Sequence, residues 1–211
     1  MERRKILIGA ASLAAIALIG RGGRAAVELP DKVVETPVFD DDRVLGEATA
    51  PITIIEYSSL TCPHCAAFHT NALPGIRENW IAKGRVRLVY RHFPLDGLAL
   101  RAAAVANCIP GERYFAFLDV LFQNQDRWTR ASDPLKALAQ FAALAGLSKS
   151  RFDACINDQA EMERIIRRAQ EGGRAFDVQA TPTLIINGRK FEGARAYKDY
   201  DEIFRALDAE S

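Results

Sequence analysis

The fold is decided by one stretch: Ile52-Thr53-Ile54-Ile55-Glu56-Tyr57-Ser58-Ser59-Leu60-Thr61-Cys62-Pro63-His64-Cys65. Its first six residues are rich in β-branched side chains and read as a buried strand. The chain then runs straight into Cys62. Pro63 suits the first helical position after a capping Cys62, where a backbone N–H would have no partner anyway. The helix is expected to pass through Phe68 and to kink near Pro74, because an interior proline cannot donate its hydrogen bond. Ile76 and Trp80 continue the apolar face, and Gly84 closes the helix. Val86, Leu88 and Tyr90 alternate with Arg85, Arg87, Val89 and Arg91, which predicts a second strand.

Further along, the pattern from about Gly97 to Gly172 is wholly helical. Leu98 to Ile109 is Ala-rich and stops at Pro110-Gly111, and Phe115, Leu118 and Phe122 recur at helical spacing. Asp133-Pro134 starts a helix carrying Leu135, Leu138, Phe141 and Ala142. Ser148 starts another with Phe152 and Cys155, and a last one covers roughly 159–169. These stripes are core packing and imply no cofactor. The strand pattern returns at Thr183-Leu184-Ile185-Ile186, and Asn187-Gly188 before Lys190-Phe191 signals a hairpin. Tyr200, Ile203, Phe204 and Leu207 mark a closing amphipathic helix. A CxxC at a strand-to-helix junction in this order of elements predicts an α/β protein, a thioredoxin fold with an inserted helical subdomain. The thioredoxin-like domain is expected over 51–211 with its insertion at about 97–172, preceded by an arm over 26–50 with a short strand near Val38-Phe39.

The N-terminus differs from the rest. Met1-Glu2-Arg3-Arg4-Lys5 is basic, Ile6 to Gly20 is an uncharged run of fifteen residues, and small residues follow at Gly22, Gly23, Ala25 and Ala26. Residues 1–25 therefore read as a signal peptide, or as an N-terminal membrane anchor if uncleaved. Arg3-Arg4 also admits a twin-arginine route. In either case the bulk of the chain leaves the cytoplasm. With 28 basic against 27 acidic residues and no basic stripe, nucleic acid is a poor partner. Export also decides how the four cysteines are read, since disulfides persist in oxidising compartments. Cys62 and Cys65 lie too close to staple a fold; Cys108 and Cys155, 47 residues apart, have the spacing of a staple.

The attacking sulfur in disulfide exchange must be a thiolate, whereas an ordinary cysteine is mostly protonated at neutral pH. Cys62 at a helix N-terminus faces unpaired amides of His64 and Cys65 and the positive end of the macrodipole. Cys65 is one turn inside and shielded. Cys62 is thus the expected nucleophile and Cys65 the resolving partner. His64 between them can donate to the thiolate or carry charge beside it. Thr181-Pro182-Thr183, just before the returning strand, would lay backbone against the pair if the Thr181–Pro182 bond were cis. That loop would offer substrate a strand-like edge.

The run from Glu56 to Cys65, the helical insertion and Thr181-Pro182 together resemble the DsbA family of periplasmic disulfide oxidases, over roughly residues 50–211. The resemblance implies that Cys62 is the nucleophile and that Thr181-Pro182 is the cis-proline loop. It also implies reduced exported proteins as substrates, with reoxidation by a DsbB-like, quinone-linked membrane oxidase. Glu56 matches an acidic residue six positions before the nucleophile in that family. It shares a strand face with Ile52 and Ile54, and a buried carboxyl could relay a proton to or from Cys65. Two departures stand out. Threonine precedes the proline, as is more familiar in isomerases, and the extra pair Cys108 and Cys155 resembles a structural disulfide of alphaproteobacterial members. The second reading of that pair is two free buried thiols.

Alternatives of other classes are a disulfide isomerase or reductase of the same fold, and a redox-inert thioredoxin-like binding protein. Isomerases of the DsbC type dimerise through a long N-terminal domain, for which about twenty-five residues leave no room, so a monomer is expected. A thioredoxin-type reductase would usually carry Trp where this chain has Thr61. No metal site is expected, because a closed zinc site needs four ligands and the other histidines, His69 and His92, come with no second cysteine knuckle.

Overall fold

The computed structural model describes residue 27 and residues 29–209. The expected signal segment, 1–25, lies outside them. Five strands form one mixed sheet: β1 (Arg43–Leu45), β2 (Ile52–Ser58), β3 (Val86–His92), β4 (Thr183–Ile186) and β5 (Arg189–Glu192), in the order β1-β3-β2-β4-β5. β2 is the central strand, parallel to β3 and antiparallel to β4. All seven of its residues are buried, which explains the unbroken apolar and β-branched run in place of an alternation. Asn187 and Gly188 both have positive φ, as a two-residue hairpin turn between β4 and β5 requires.

The CxxC helix begins as α1 (Pro63–Ala67) with Cys62 at its N-cap in extended backbone. It continues without a break through a π-helical stretch at Phe68–Ala72, a short α2 (Leu73–Ile76) and a second π-helical stretch at Arg77–Ile81. Around Pro74, where a kink is expected, the chain widens its turns. Pro74 has no N–H to return to the preceding turn, and the Leu73 amide bonds to Phe68, five residues back.

The insertion consists of α3 (Gly97–Asn107), α4 (Gly111–Gln123), α5 (Gln125–Thr129), α6 (Pro134–Leu144), α7 (Lys149–Cys155) and α8 (Gln159–Phe176), and α9 (Tyr197–Ala209) closes the chain. Asp133 and Ser148 cap α6 and α7 through their side chains, as the start signals predict. Cys108 and Cys155 are joined as a disulfide between the end of α3 and the end of α7. The helical block ends at Phe176, past the expected Gly172. At Gly172 α8 lies so close to the sheet that a Cβ would be 2.2 Å from Tyr57 Cε1. Here the glycine makes room for packing and does not stop the helix.

The large core cluster joins one sheet face (Ile52, Ile54, Leu88, Tyr90, Leu184, Ile186) to the CxxC helix, α9 and much of the insertion. The other face (Ile55, Tyr57, Val89, Ile185) packs against Phe176 and Val178. The first strand is Arg43–Leu45, whereas Val38-Phe39, expected near a short strand, is irregular. The arm before β1 is held by one backbone bond, from the Val34 amide to the Gly188 carbonyl at 3.0 Å, and otherwise by side chains. Buried Arg91 of β3 donates to both Asp42 carboxylate oxygens, at 3.0 and 2.7 Å, and to the Pro37 carbonyl at 2.7 Å, while stacking over Phe39. Among the described residues no helix is long and apolar enough to cross a membrane.

Candidate active site

β2 ends at Ser58, and the loop Ser59-Leu60-Thr61 delivers Cys62 to the start of α1. Three bonds from the insertion and its entry hold this loop. Buried Gln125 of α5 donates from Nε2 to the Leu60 and Cys62 carbonyls, at 2.8 and 3.0 Å. The Thr61 hydroxyl donates to Asp96 Oδ2 at 2.7 Å, and Asp96 Oδ1 accepts from the Ala99 amide, capping α3. The insertion therefore fixes where Cys62 sits. Asp96 immediately ahead of a helical run carries a cap signature in sequence. Gln125 lies sixty-odd residues from the loop, and no sequence pattern marks it.

Cys62 and Cys65 are not joined to each other, so the pair is in its reduced form. Cys62 keeps 6% of its surface exposed and Cys65 none, so only one sulfur can meet another protein. The Thr181–Pro182 peptide is cis, and the Cys62 thiol donates to the Thr181 carbonyl at 3.2 Å. That bond serves the protonated form. On ionisation the neighbouring Thr181 hydroxyl, buried with no hydrogen-bond partner of its own, is placed to donate instead. The Cys62 thiol is pulled down to about 5, chiefly by donation from the Cys65 thiol and further by the Thr181 side chain and the amides of Cys65 and His64, against the opposing effect of burial. Cys65 is pushed far above the ordinary thiol range by burial first, then by the Cys62 sulfur and the Glu56 carboxylate. Its Sγ accepts one bond, from the Ser59 amide at 3.5 Å.

Pro63 and His64 are exposed beside Cys62, and the His64 amide is among the groups that lower the Cys62 pKa. Glu56 is fully buried, on the same face as Ile52 and Ile54. Both its oxygens lie 3.1 Å from Nε2 of His69, a residue that sequence reasoning considered only as a metal ligand. Burial opposes a charge on His69, yet Glu56 and Asp119 outweigh it and raise its pKa above the usual imidazole value. One signal for His69 was available: it lies four residues after Cys65, on the same helix face. Among the described residues no group of three His, Cys, Asp or Glu side chains is placed to hold a metal ion.

Comparison with known proteins fits this geometry. The sequence profile of the family described as Thioredoxin matches residues 39–206. A protein of Rickettsia typhi, provisionally named a protein-disulfide oxidoreductase, is 29% identical over 81% of this chain and 62% of its own. The chain thus spans less than two thirds of that curated relative's length. The crystal structure of Wolbachia pipientis alpha-DsbA1 superposes with a TM-score of 0.77 at 34% identity, covering 82% of this chain and 94% of that one. That of Bacillus subtilis BdbD, at 24% identity and a TM-score of 0.68 over 85% of this chain and 98% of its own, shares the fold. On the profile and the Wolbachia likeness together, the chain belongs to the thioredoxin family, in its DsbA branch.

Proposed function

We propose that the chain is an exported, periplasmic thiol:disulfide oxidoreductase that donates its Cys62–Cys65 disulfide to reduced substrate proteins through a mixed disulfide on Cys62. One observation carries this reading: two sulfurs on one helical turn with opposite acidities, the outer held as a thiolate and the inner kept a thiol. Holding Cys62 ionised stabilises the reduced enzyme and so makes its disulfide a stronger oxidant. At pH 7, two pH units above a pKa of about 5, the gain is roughly 2.7 kcal/mol, or on the order of 60 mV.

Substrates are reduced exported proteins, which meet the exposed edge of Cys62 beside Thr181 and Pro182. A DsbB-like, quinone-linked membrane oxidase would restore the disulfide, and the enzyme would work as a monomer. The disulfide between Cys108 and Cys155 serves as a structural staple that closes a long loop. His64 adds positive charge near the thiolate when protonated, so replacing it should shift the couple toward reducing values.

The reading is tested by the equilibrium potential of the Cys62–Cys65 couple against glutathione. The expected value lies at or above about −180 mV, in the range of oxidases and isomerases. A value near the roughly −270 mV of thioredoxin would overturn it. The Thr181 hydroxyl beside Cys62 is the one feature favouring isomerisation. Refolding of a scrambled-disulfide substrate, compared with oxidation of a reduced one, separates the two activities.

A further inference from the structure

Each time the Cys62–Cys65 disulfide opens, Cys65 must gain a proton, and each time it closes Cys65 must lose one, although this sulfur has no exposed surface. A line of polar groups leads from its surroundings to solvent, beginning at Glu56, the carboxyl expected to relay a proton to Cys65. Glu56, whose carboxylate acts on Cys65, contacts His69 Nε2 with both oxygens at 3.1 Å. The other ring nitrogen, Nδ1, is buried with no hydrogen-bond partner and lies 3.9 Å from Asp119 Oδ1 on α4. The Asp119 side chain is 21% exposed, and both its oxygens are held by the Arg77 guanidinium, itself 30% exposed.

The remaining surroundings of the ring are aromatic. Phe122 stacks on it at 4.1 Å between centroids, and Phe68 and Tyr90 meet it edge-on at 5.5 and 5.8 Å. The charged or titratable groups facing His69 are therefore Glu56 from β2, Asp119 from α4 and the Tyr90 hydroxyl from β3. A buried imidazole with a carboxylate at each nitrogen can release a proton from one side and take up another on the other, with no movement of the backbone.

We propose that His69 and Asp119, acting through Glu56, form the proton path between Cys65 and solvent; this rests on the reading that the Cys62–Cys65 pair exchanges disulfides. When an outside thiolate attacks Cys62 Sγ, a new S–S bond forms there, the Cys62–Cys65 bond breaks and its electron pair leaves on Cys65 Sγ. The Glu56 carboxylate takes a proton from His69 Nε2 and passes it to that sulfur, and His69 takes its replacement at Nδ1 from solvent on the Asp119 side. The net transfer is one solvent proton onto Cys65. Closure of the disulfide returns it by the same route.

A proton path speeds opening and closing alike and leaves their ratio unchanged, whereas a purely electrostatic or structural role shifts the ratio. The test uses the full chain with Asp119→Asn, which keeps the Glu56–His69 pair. Stopped-flow rates are measured for opening by dithiothreitol and closing by its oxidised form, in H2O and in D2O. Both rate constants are expected to fall by a common factor, about tenfold or more at pH 7, with a larger solvent isotope effect, an unchanged equilibrium constant and recovery in Asp119→Glu. His69→Gln should lose more. Unchanged rates in Asp119→Asn, or a change in one direction with a shifted equilibrium, would overturn the proposal. A thioredoxin-like potential would instead overturn the oxidase reading while leaving this comparison of rates readable.

Discussion

A Cys65→Ala variant accumulates a stable mixed disulfide between Cys62 and reduced substrate, and a Cys62→Ala variant forms none. The first effect follows from who can resolve the adduct. Cys65 lies one helical turn inside, fully shielded, and only its sulfur can expel the substrate from within the enzyme. Without it, release waits for a second thiol from solution. The second effect follows from access: once Cys62 is gone, the remaining sulfur has no exposed surface and a pKa far above the thiol range, so it is neither reachable nor ionised. Exchange should fall to the uncatalysed background. Mass spectrometry of each variant, oxidised with a small mixed disulfide and mixed with a cysteine-containing peptide, reads the adduct directly. Equal adduct on Cys65 in the Cys62→Ala protein would contradict the assignment of roles.

The second large effect is on stability. Folding lowers the Cys62 pKa to about 5 from about 8.5 in an unfolded chain. A depressed pKa stabilises the folded state most fully above the unfolded value, and that stabilisation is lost as pH falls through the folded one. In the oxidised protein neither sulfur titrates. Between pH 4 and pH 7 the reduced form should therefore gain roughly 2.7 kcal/mol of unfolding free energy over the oxidised form. Above about pH 8.5 the raised Cys65 acts in the opposite sense, because its thiol ionises only after unfolding. The advantage of the reduced form thus climbs from pH 4 and turns down in the alkaline range. Denaturant unfolding of both forms across pH measures it, and comparing the two cancels every group they share. Parallel curves for the two forms would mean that Cys62 is not ionised by its surroundings.

The features legible in the sequence were those set by local chemistry. The β-branched run, Pro63 after Cys62, Asn187-Gly188 and the caps at Asp133 and Ser148 each act within a few residues, and each appears where expected. Elements governed by distant contacts were misjudged. Phe39 had the look of a strand residue, but Arg91, from a strand fifty residues later, holds that arm by hydrogen bonds and stacking. The last insertion helix, expected over roughly 159–169, runs on to Phe176, through a Gly172 that lies close against Tyr57. In the site, Cys62, Cys65 and Thr181 announced themselves by motif. Gln125 and Asp119 did not, because their roles depend on how the insertion lies over the CxxC helix, and no local pattern encodes that.

Disulfide donation through Cys62 requires that it be a thiolate at neutral pH while Cys65 remains protonated. The most direct test is the rate of alkylation of the reduced enzyme by iodoacetamide as a function of pH, with the modified residue identified. A single transition with its midpoint near 5, confined to Cys62, is the predicted result. A midpoint near the roughly 8.5 of a free cysteine would contradict it.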